Sequence, residues 1–160
     1  MPTPEDVRAI SDELRNIAAA MENLRALGAI RSQKLVADLG EWVVASLLGG
    51  KIADSRTQEG WDVECEGERV QVRSHAKSED NPNQWSRVPN NPAQCDALLI
   101  VVFSERLRVE QILRVPISEA TRRASNGRLR WADVQEYKLN LFDFPTYETL
   151  RPLFADEAVV

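Results

Sequence analysis

The chain has 160 residues, of which 43% are hydrophobic and 28% are charged, and its formal net charge is −5. This length and composition predict one ordinary globular domain with a sizeable core. The acidic balance argues against a strong non-specific nucleic-acid binder, whose domain is usually basic, but it allows a local basic surface.

The sequence has no apolar run long enough to span a bilayer and no signal peptide, so we expect no membrane partner. Its two cysteines, Cys65 and Cys95, are far apart in strand-like contexts. That usage fits a reducing cytoplasm better than a disulfide framework, and two cysteines alone cannot form a structural zinc site. We therefore expect a cytoplasmic protein.

The first predicted element is an amphipathic helix over residues 4–27. Thr3 is a capping residue, Pro4 suits the first helical position, and two acids follow in the first turn. Apolar residues recur in steps of three and four, a heptad pattern. They are Val7, Ile10, Leu14, Ile17, Met21 and Leu24. This seam could pack against its own domain or form a homodimer, and we divide the chain into this helix (1–30) and a domain (31–155).

A second helix is predicted over residues 32–48, ending at a glycine pair. Its buried stripe comprises Leu35, Val36, Leu39, Trp42, Val43 and Leu47. Glu41 lies on the flank of that stripe, in one row with Lys34 and Asp38. The row places a carboxylate where it can face a cleft. Alternatively, Lys34 and Asp38 form a surface pair and Glu41 has no role.

A short strand is predicted at 51–54, followed by a tight hairpin over 59–73 in which apolar and polar residues alternate. A two-residue loop at 66–67 pairs Val63 with Val70 and Trp61 with Val72, whereas a three-residue loop would mix the faces. The other face then carries Asp62, Gln71 and Arg73 at one spot. It is either an ordinary solvated surface or a functional site.

Residues 74–94 are polar and interrupted by prolines, which predicts a long loop, functional or partly disordered. Its basic and aromatic residues could grip a nucleic-acid backbone and stack on a base. These candidates for nucleic-acid binding are His75, Lys77, Trp85 and Arg87. The alternative is a mobile surface loop with one anchoring tryptophan.

The C-terminal half begins with an apolar run over 95–103, which is typical of a strand buried on both faces of a mixed sheet. A further strand is predicted at 108–117, a short helix from 118 to 126, and an edge strand at 128–131. Two helical pieces follow at 131–140 and 146–154, and the tail at 156–157 is expected to fray.

The order of these elements resembles the core of the PD-(D/E)XK nuclease superfamily, which has the restriction-endonuclease-like fold. The similarity covers about residues 34–117 and is nearest to a bacterial branch with a Gln-x-Lys third motif. It rests on Gly40-Glu41-Trp42, the strand at 51–54, Gly60-Trp61-Asp62, Val70-Gln71-Val72-Arg73 and the strand at 95–103. The resemblance implies an α/β fold: a helix, a mixed central sheet whose hairpin carries the site, and flanking helices.

The resemblance also implies a site for Mg²⁺ or Mn²⁺. By position, Glu41 and Asp62 would be metal ligands, Gln71 a supporting ligand, and the backbone carbonyl of Val72 a further one. Arg73 stands where the family has a lysine that orients the attacking water. Such a metal neutralises the scissile phosphate and lowers the pKa of that water.

Two departures from the family pattern affect this expectation. Gln71 replaces a carboxylate, and its neutral amide oxygen is a weaker magnesium ligand. Arg73 stays protonated, so it can hold a phosphate or a water but cannot act as a base. Lys77 shares the face of Arg73 in an extended strand and could substitute, and Lys34 is a second candidate.

The resemblance to this superfamily therefore implies a magnesium-dependent DNA endonuclease that hydrolyses phosphodiester bonds. The alternative is a catalytically silent member of the same fold, used as a binding or regulatory module and dimerised through its N-terminal helix. Glu41, Asp62 and Gln71 together favour the enzyme, whereas Arg73 and the acidic net charge favour the silent module.

Overall fold

The computed structural model describes residues 1–54, 60–77 and 84–156. Their elements are helices α1 (Pro4–Ala26), α2 (Leu35–Leu48), α3 (Ile117–Arg123) and α4 (Tyr147–Leu150), and strands β1 (Lys51–Ile52), β2 (Val63–Cys65), β3 (Glu68–Ala76), β4 (Trp85–Arg87), β5 (Ala97–Phe103), β6 (Val109–Pro116) and β7 (Arg128–Arg130). Four 3₁₀ segments also occur in the described residues: Pro92–Gln94, Trp131–Tyr137, Leu141–Asp143 and Arg151–Leu153. Predictions that fall on Glu59, on the middle of the 74–94 segment and on Glu157 lie outside the described residues.

A mixed five-stranded sheet forms the centre of the molecule, in the order β1-β2-β3-β5-β6. Strands β3 and β5 run parallel, and the other neighbours are antiparallel. Strand β5 is buried along its whole length, as its apolar sequence predicted. The chain is therefore an α/β protein with a mixed sheet.

Each face of the sheet has its own apolar core, because side chains alternate along the strands. Helix α2 and the C-terminal turns cover one face, where Val70, Val72 and Leu99 are buried. The opposite face packs Leu98 and Ile100 against α3, the strand pair β4-β7 and the 3₁₀ segment Trp131–Tyr137. That segment replaces the helix expected at 131–140.

The hairpin forms with the predicted two-residue loop. Val63 faces Val70, Glu64 faces Arg69, and Cys65 faces Glu68. Glu66 and Gly67 both have positive φ, as a tight hairpin turn that matches the strand twist requires.

The predicted long loop at 74–94 is largely wrong within the described residues. Strand β3 continues through residues 74–76, which pair in parallel with Val101, Val102 and Phe103 of β5. Residues 85–87 form β4, which pairs with β7. The polar residues of this segment are in strands because neighbouring strands provide partners for their backbone hydrogen bonds. The sequence pattern of the segment itself does not indicate those partners.

Helix α1 begins as predicted, with a capping box between Thr3 and Asp6. None of its residues, all of which the structure describes, is buried. The heptad seam is exposed from Val7 to Ile17, and its last two members, Met21 and Leu24, are only partly buried. Among the helices in the described ranges, none is long and apolar enough to cross a membrane.

Candidate active site

The pairing of β2 with β3 ends at Val63 and Val70. Beyond this pair the two strands separate, and we call the space between Asp62 on one side and Gln71 and Val72 on the other the fork. The Asp62 N–H donates to the Val70 carbonyl at 2.8 Å, although Val63 is already the partner of Val70. Two residues therefore face one, as in a β-bulge, and the ladder ends there. The Asp62 carboxylate takes over the next position: its Oδ2 accepts the Val72 N–H at 2.8 Å and Gln71 Nε2 at 2.6 Å.

The same bulge explains why one predicted pair is missing. Trp61 was expected opposite Val72 and buried, but it is only partly buried and lies outside strand β2. Its ring lies under the Arg69 guanidinium, 5.5 Å from the ring centroid. Asp62, not Trp61, is bonded to Val72, so its carboxylate is held beside strand β3 at the point where the pairing of β2 with β3 ends.

Val72 presents its backbone to the same fork. The N–H and C=O of one strand residue point to the same strand edge. Because the Val72 N–H reaches Asp62, its carbonyl points to the Asp62 side as well. This orientation is the one that a metal ligand at Val72 needs.

Helix α2 brings Glu41 to the fork by a close approach to β3 at Gly40. A Cβ on Gly40 would lie 1.8 Å from Ser74 Oγ, so a larger residue cannot sit here without displacing the helix or the serine. The Glu41 carboxylate is mostly buried, and Arg31 Nη2 donates to it at 3.0 Å. Arg31 also donates to the Ala53 carbonyl at 2.8 Å, which ties β1 to the site.

Asp38, one turn before Glu41, is buried at 2% exposure, and its Oδ2 accepts the Arg31 N–H at 2.7 Å. The interpretation of Lys34 and Asp38 as a surface pair is therefore wrong. Asp38 instead fixes the backbone of the residue whose side chain contacts Glu41.

The two carboxylates of the site are both in an environment that opposes their charge. Burial raises the pKa of Glu41, and the negative charge of Asp62 raises it further, against the hydrogen bond and charge of Arg31. Burial also raises the pKa of Asp62, and the Val72 N–H, Arg73 and Arg31 only partly offset it. Two desolvated carboxylates that repel each other are a setting that a divalent cation would relieve.

The donor set fits magnesium only through this pair. Within residues 1–54, 60–77 and 84–156, no group of three His, Cys, Asp or Glu side chains converges as a metal site. Magnesium needs only one or two carboxylates, because water and substrate oxygens complete its shell. Glu41, Asp62 and the Val72 carbonyl can supply protein ligands, whereas Gln71 uses its amide as a donor to Asp62 and must rotate to offer its oxygen.

Arg73 follows Val72 in strand β3, so its side chain lies on the opposite face of the sheet from that of Val72. It lines a cavity of about 360 Å³. Gln71 and Arg73 line this cavity together with Gly60, Pro89, Asn90, Asn91 and Gln94. The Arg73 Nε donates to the Arg87 carbonyl at 3.2 Å, and the charge of Arg73 acts on Asp62. Arg73 therefore connects the carboxylate site to strand β4.

Strands β4 and β7 display a basic and aromatic surface, which we call the arginine surface (Trp85, Arg87, Arg128 and Arg130). Arg87 faces Arg128 and Trp85 faces Arg130 across the strand pair, and the Arg128 guanidinium lies 4.5 Å from the centroid of the Trp85 ring. Like charges directly opposite each other are destabilising in a sheet. An anion bound here would relieve that repulsion.

Two of the predicted functional residues point elsewhere. Lys77 pairs with Glu110 at 2.6 Å, and four strand residues put it about 13 Å from Arg73, so it does not substitute for the missing lysine. His75 is half-buried: its Nε2 shares a hydrogen bond with Ser86 Oγ at 2.8 Å, and its ring packs on Trp131. His75 is thus a core contact and does not belong to the arginine surface.

Sequence reasoning missed three arginines. Arg31 lies ten residues before Glu41, and Arg128 and Arg130 come from a strand far along the chain. The alternation at 128–130 indicated a short strand, but only the pairing of β4 with β7 shows that its charged residues join Trp85 and Arg87. No local pattern marks Arg31 as a partner of Glu41.

No protein-family model matches this chain, and no curated protein sequence matches it.

Proposed function

We propose that this protein is a magnesium-dependent DNA endonuclease with a restriction-endonuclease-like core. The observation that supports the proposal is the pair of Glu41 and Asp62: burial raises the pKa of both carboxyls, and the negative charge of Asp62 raises the pKa of Glu41 further. Buried carboxylates that oppose each other stabilise a fold poorly, and such groups concentrate at functional sites. The arginine surface beside the pair supplies a means of holding DNA.

In this proposal Glu41, Asp62 and the Val72 carbonyl hold the metal. The bound metal supplies Lewis-acid polarisation of the scissile phosphate and lowers the pKa of the attacking water. The water oxygen would bond to phosphorus and release its proton to solvent, and the bond from phosphorus to the leaving oxygen would break as that oxygen takes up a proton from solvent. Arg73 stays cationic throughout, so we assign it to holding a phosphate oxygen and stabilising its developing charge.

The arginine surface extends the proposed interface from the site onto DNA. Arg87 and Arg128 would neutralise phosphates, and Trp85 would stack on a base where a strand is unpaired. The acidic net charge of the chain is compatible with this, because only the local charge at the groove needs to be positive. Replacing either arginine with alanine should reduce the salt dependence of DNA binding by about one unit of slope.

A second function is favoured by one specific contact. The Arg31 guanidinium lies 3.0 Å from the Glu41 carboxylate and gives it a cationic partner without any metal. In a catalytically silent binding or regulatory module, this ion pair would take the place of the metal permanently. The two functions differ in whether a divalent cation competes with Arg31.

The deciding experiment is calorimetric titration with Mg²⁺ and Mn²⁺, together with cleavage of supercoiled, linear, branched and single-stranded DNA. For the nuclease we expect metal binding and cleavage, both abolished in Asp62→Ala and unchanged in the control Glu64→Ala, an exposed acid two residues further along the chain. Arg31→Gln should tighten metal binding, because it removes the competing cation. No metal binding and no cleavage by the wild type would instead support the silent module.

Arg73 provides the second arm of this test. Arg73→Lys should preserve or raise cleavage, because it restores the residue at this position in the family that the chain resembles. Arg73→Ala should lower the rate by about 10²–10³, which is typical of removing one group that stabilises charge in the transition state. Cleavage that survives Asp62→Ala undiminished would place the chemistry at other residues.

A further inference from the structure

Helix α1 presents an apolar seam to solvent. Val7, Ile10, Leu14 and Ile17 are 54%, 58%, 60% and 56% exposed, although their spacing is that of a buried heptad stripe. The helix has 23 residues and is about 34 Å long. Because most helical stability in proteins comes from packing of an amphipathic face, an exposed apolar seam of this kind indicates a surface that binds a partner.

We propose that α1 pairs with α1 of a second copy of this chain as an antiparallel two-helix coiled coil. The twofold axis passes between residues 15 and 16, so that facing residues have numbers that sum to 31. The resulting layers are Val7 with Leu24, Ile10 with Met21, and Leu14 with Ile17, each occurring twice. All six layers are apolar, with no gap and no polar interruption.

The composition of the layers favours this register. Every antiparallel layer combines one β-branched side chain, Val or Ile, with one that is not β-branched, so the layers have similar widths. In a parallel pair, identical residues would face each other, with Leu14 and Met21 at a positions and Ile10 and Ile17 at d positions. Parallel dimers prefer β-branched residues at a and leucine at d, which only Val7 at a and Leu24 at d satisfy.

The charges and the small residues flanking the seam agree with the same arrangement. The flanking positions nearest the centre include Ala18 and Ala20, which allow the helices to approach closely. Acids occupy the start of the helix, where Asp6 flanks the seam beside Glu5, and Arg25 flanks its end. A parallel pair would bring the two acidic ends together, whereas the antiparallel pair separates them and opposes the helix dipoles.

The area fits a weak and reversible contact. A buried aliphatic side chain contributes about 1.5–3 kcal/mol at about 25 cal/mol per Å², which corresponds to about 60–120 Å². The exposed side chains Val7, Ile10, Leu14 and Ile17 of two helices would then bury about 500–1,000 Å², to which the partly buried Met21 and Leu24 add, and this approaches the lower limit of specific interfaces at about 1,200 Å². We therefore expect a reversible dimer that dissociates on dilution.

The first test is the mass of the intact chain in solution by light scattering and sedimentation equilibrium. We expect twice the chain mass for the wild type, and one chain mass for Leu14→Asp. The matched control is Ala19→Asp, which puts the same residue on the opposite, exposed face of α1 and should leave the dimer intact. Because α1 has no buried residue, the domain of Leu14→Asp should keep its near-ultraviolet circular dichroism and melting transition.

The second test fixes the direction by oxidative cross-linking of Val7→Cys and Leu24→Cys chains, mixed and alone. The native Cys65 and Cys95 are buried and stay in place. We expect a disulfide between a Val7→Cys chain and a Leu24→Cys chain, and none between two Val7→Cys chains, whose residues are about 26 Å apart in this register. A monomeric wild type, a four-chain mass, an unaffected Leu14→Asp dimer or a Val7→Cys homodimer disulfide would each overturn the proposal.

Discussion

Strand β3 contributes to two polar clusters on one face of the sheet. One cluster contains charged side chains, whereas the other is neutral. At the strand's N-terminal half, Gln71 and Arg73 adjoin Asp62, a carboxylate whose pKa burial raises. At its C-terminal half, His75 meets Ser86 and Trp131 in a neutral cluster. The Trp131 Nε1–H donates to Ser86 Oγ at 2.9 Å, and Ser86 and His75 share a second hydrogen bond at 2.8 Å.

The difference shows how a site can be distinguished from a structural contact when both are polar and partly buried. The His75 cluster is satisfied: its groups are partnered and need no ionic charge, so it joins β3 to the β4-β7 pair. The Asp62 cluster contains two carboxylates whose pKa values burial raises, and the charge of Asp62 raises the pKa of Glu41 further, although both have cationic neighbours. Burial alone would have selected both clusters, whereas opposed charge selects only the second.

Substitutions in the two clusters test this difference, and we expect the largest loss of stability at Ser86. Ser86→Ala removes the oxygen that Trp131 and His75 share and leaves a buried donor unpaired, which should cost about 1–3 kcal/mol. That loss corresponds to about 2–4 °C in Tm per kcal/mol for a chain of this size. Thermal unfolding should show it, with the affinity for Mg²⁺ or Mn²⁺ unchanged.

The control for this substitution is Ser125→Ala, an exposed serine next to β7, which should be neutral within about 0.5 kcal/mol. Loss of metal binding in Ser86→Ala at an unchanged Tm would reverse the roles assigned to the two clusters.

A smaller effect of opposite sign is expected at Glu41. The raised pKa of Glu41 means that the folded state holds this proton more tightly than the unfolded chain. Stability from this group is therefore lost as pH rises through the window just above its ordinary value of 4.5. Glu41→Gln should remove that loss and stabilise the metal-free protein at pH 7, near the lower end of about 0.5–2 kcal/mol because solvent screens a partly exposed group.

Chemical denaturation of metal-free protein at pH 5 and pH 7 measures this effect. Added Mg²⁺ should stabilise the wild type at pH 7 and leave Glu41→Gln unchanged, since binding to the folded state raises stability by mass action. A Glu41→Gln protein that is less stable than the wild type at pH 7 would mean that the Arg31 ion pair outweighs burial, and would favour the silent module.

The smallest effect is expected at His75. Burial lowers the pKa of His75, and the positive charge of Arg73 adds to this. The folded state therefore prefers the neutral ring, and stability should fall as pH decreases from 6.5 toward the folded pKa. His75→Gln keeps a partner for Ser86 and should flatten this dependence without affecting the metal site.

The chain has a single histidine, so its titration can be followed directly by NMR. A folded-state pKa at or above 6.5 would show that the ring is solvated or paired with an acid, and the description of a satisfied cluster would then be wrong.

Some parts of this molecule could be predicted from local pattern alone. The two-residue turn at Glu66 and Gly67 and the buried strand β5 follow from alternation and apolar content, and both are confirmed. The capped helix α1 was also predicted almost to its last residue. In each case the signal lies within a few consecutive residues, which is the range over which turn chemistry, capping and periodicity act.

The candidate site was predicted only in part. The hairpin register brought Asp62 to Gln71, and the structure joins their side chains. The alternation also predicted Trp61 opposite Val72. That prediction is wrong because the ladder ends at Val63 and Val70, two pairs earlier, where the Asp62 N–H also bonds to the Val70 carbonyl as in a β-bulge. The alternation of polar and apolar residues in one strand does not reveal a β-bulge, because a bulge is defined by how that strand pairs with its neighbour.

What the sequence alone determined is thus most of the helices and strands, but not β4, together with the register of the hairpin next to its turn and the presence of an amphipathic N-terminal helix. Tertiary structure alone decided that this helix is exposed, that Arg31 contacts Glu41, and that Arg128 lies opposite Arg87. It also placed His75 in a core contact and paired Lys77 with Glu110. The physical reason is distance along the chain: partners from separate elements are chosen by packing and by charge in the folded state, and local propensity contains no information about either.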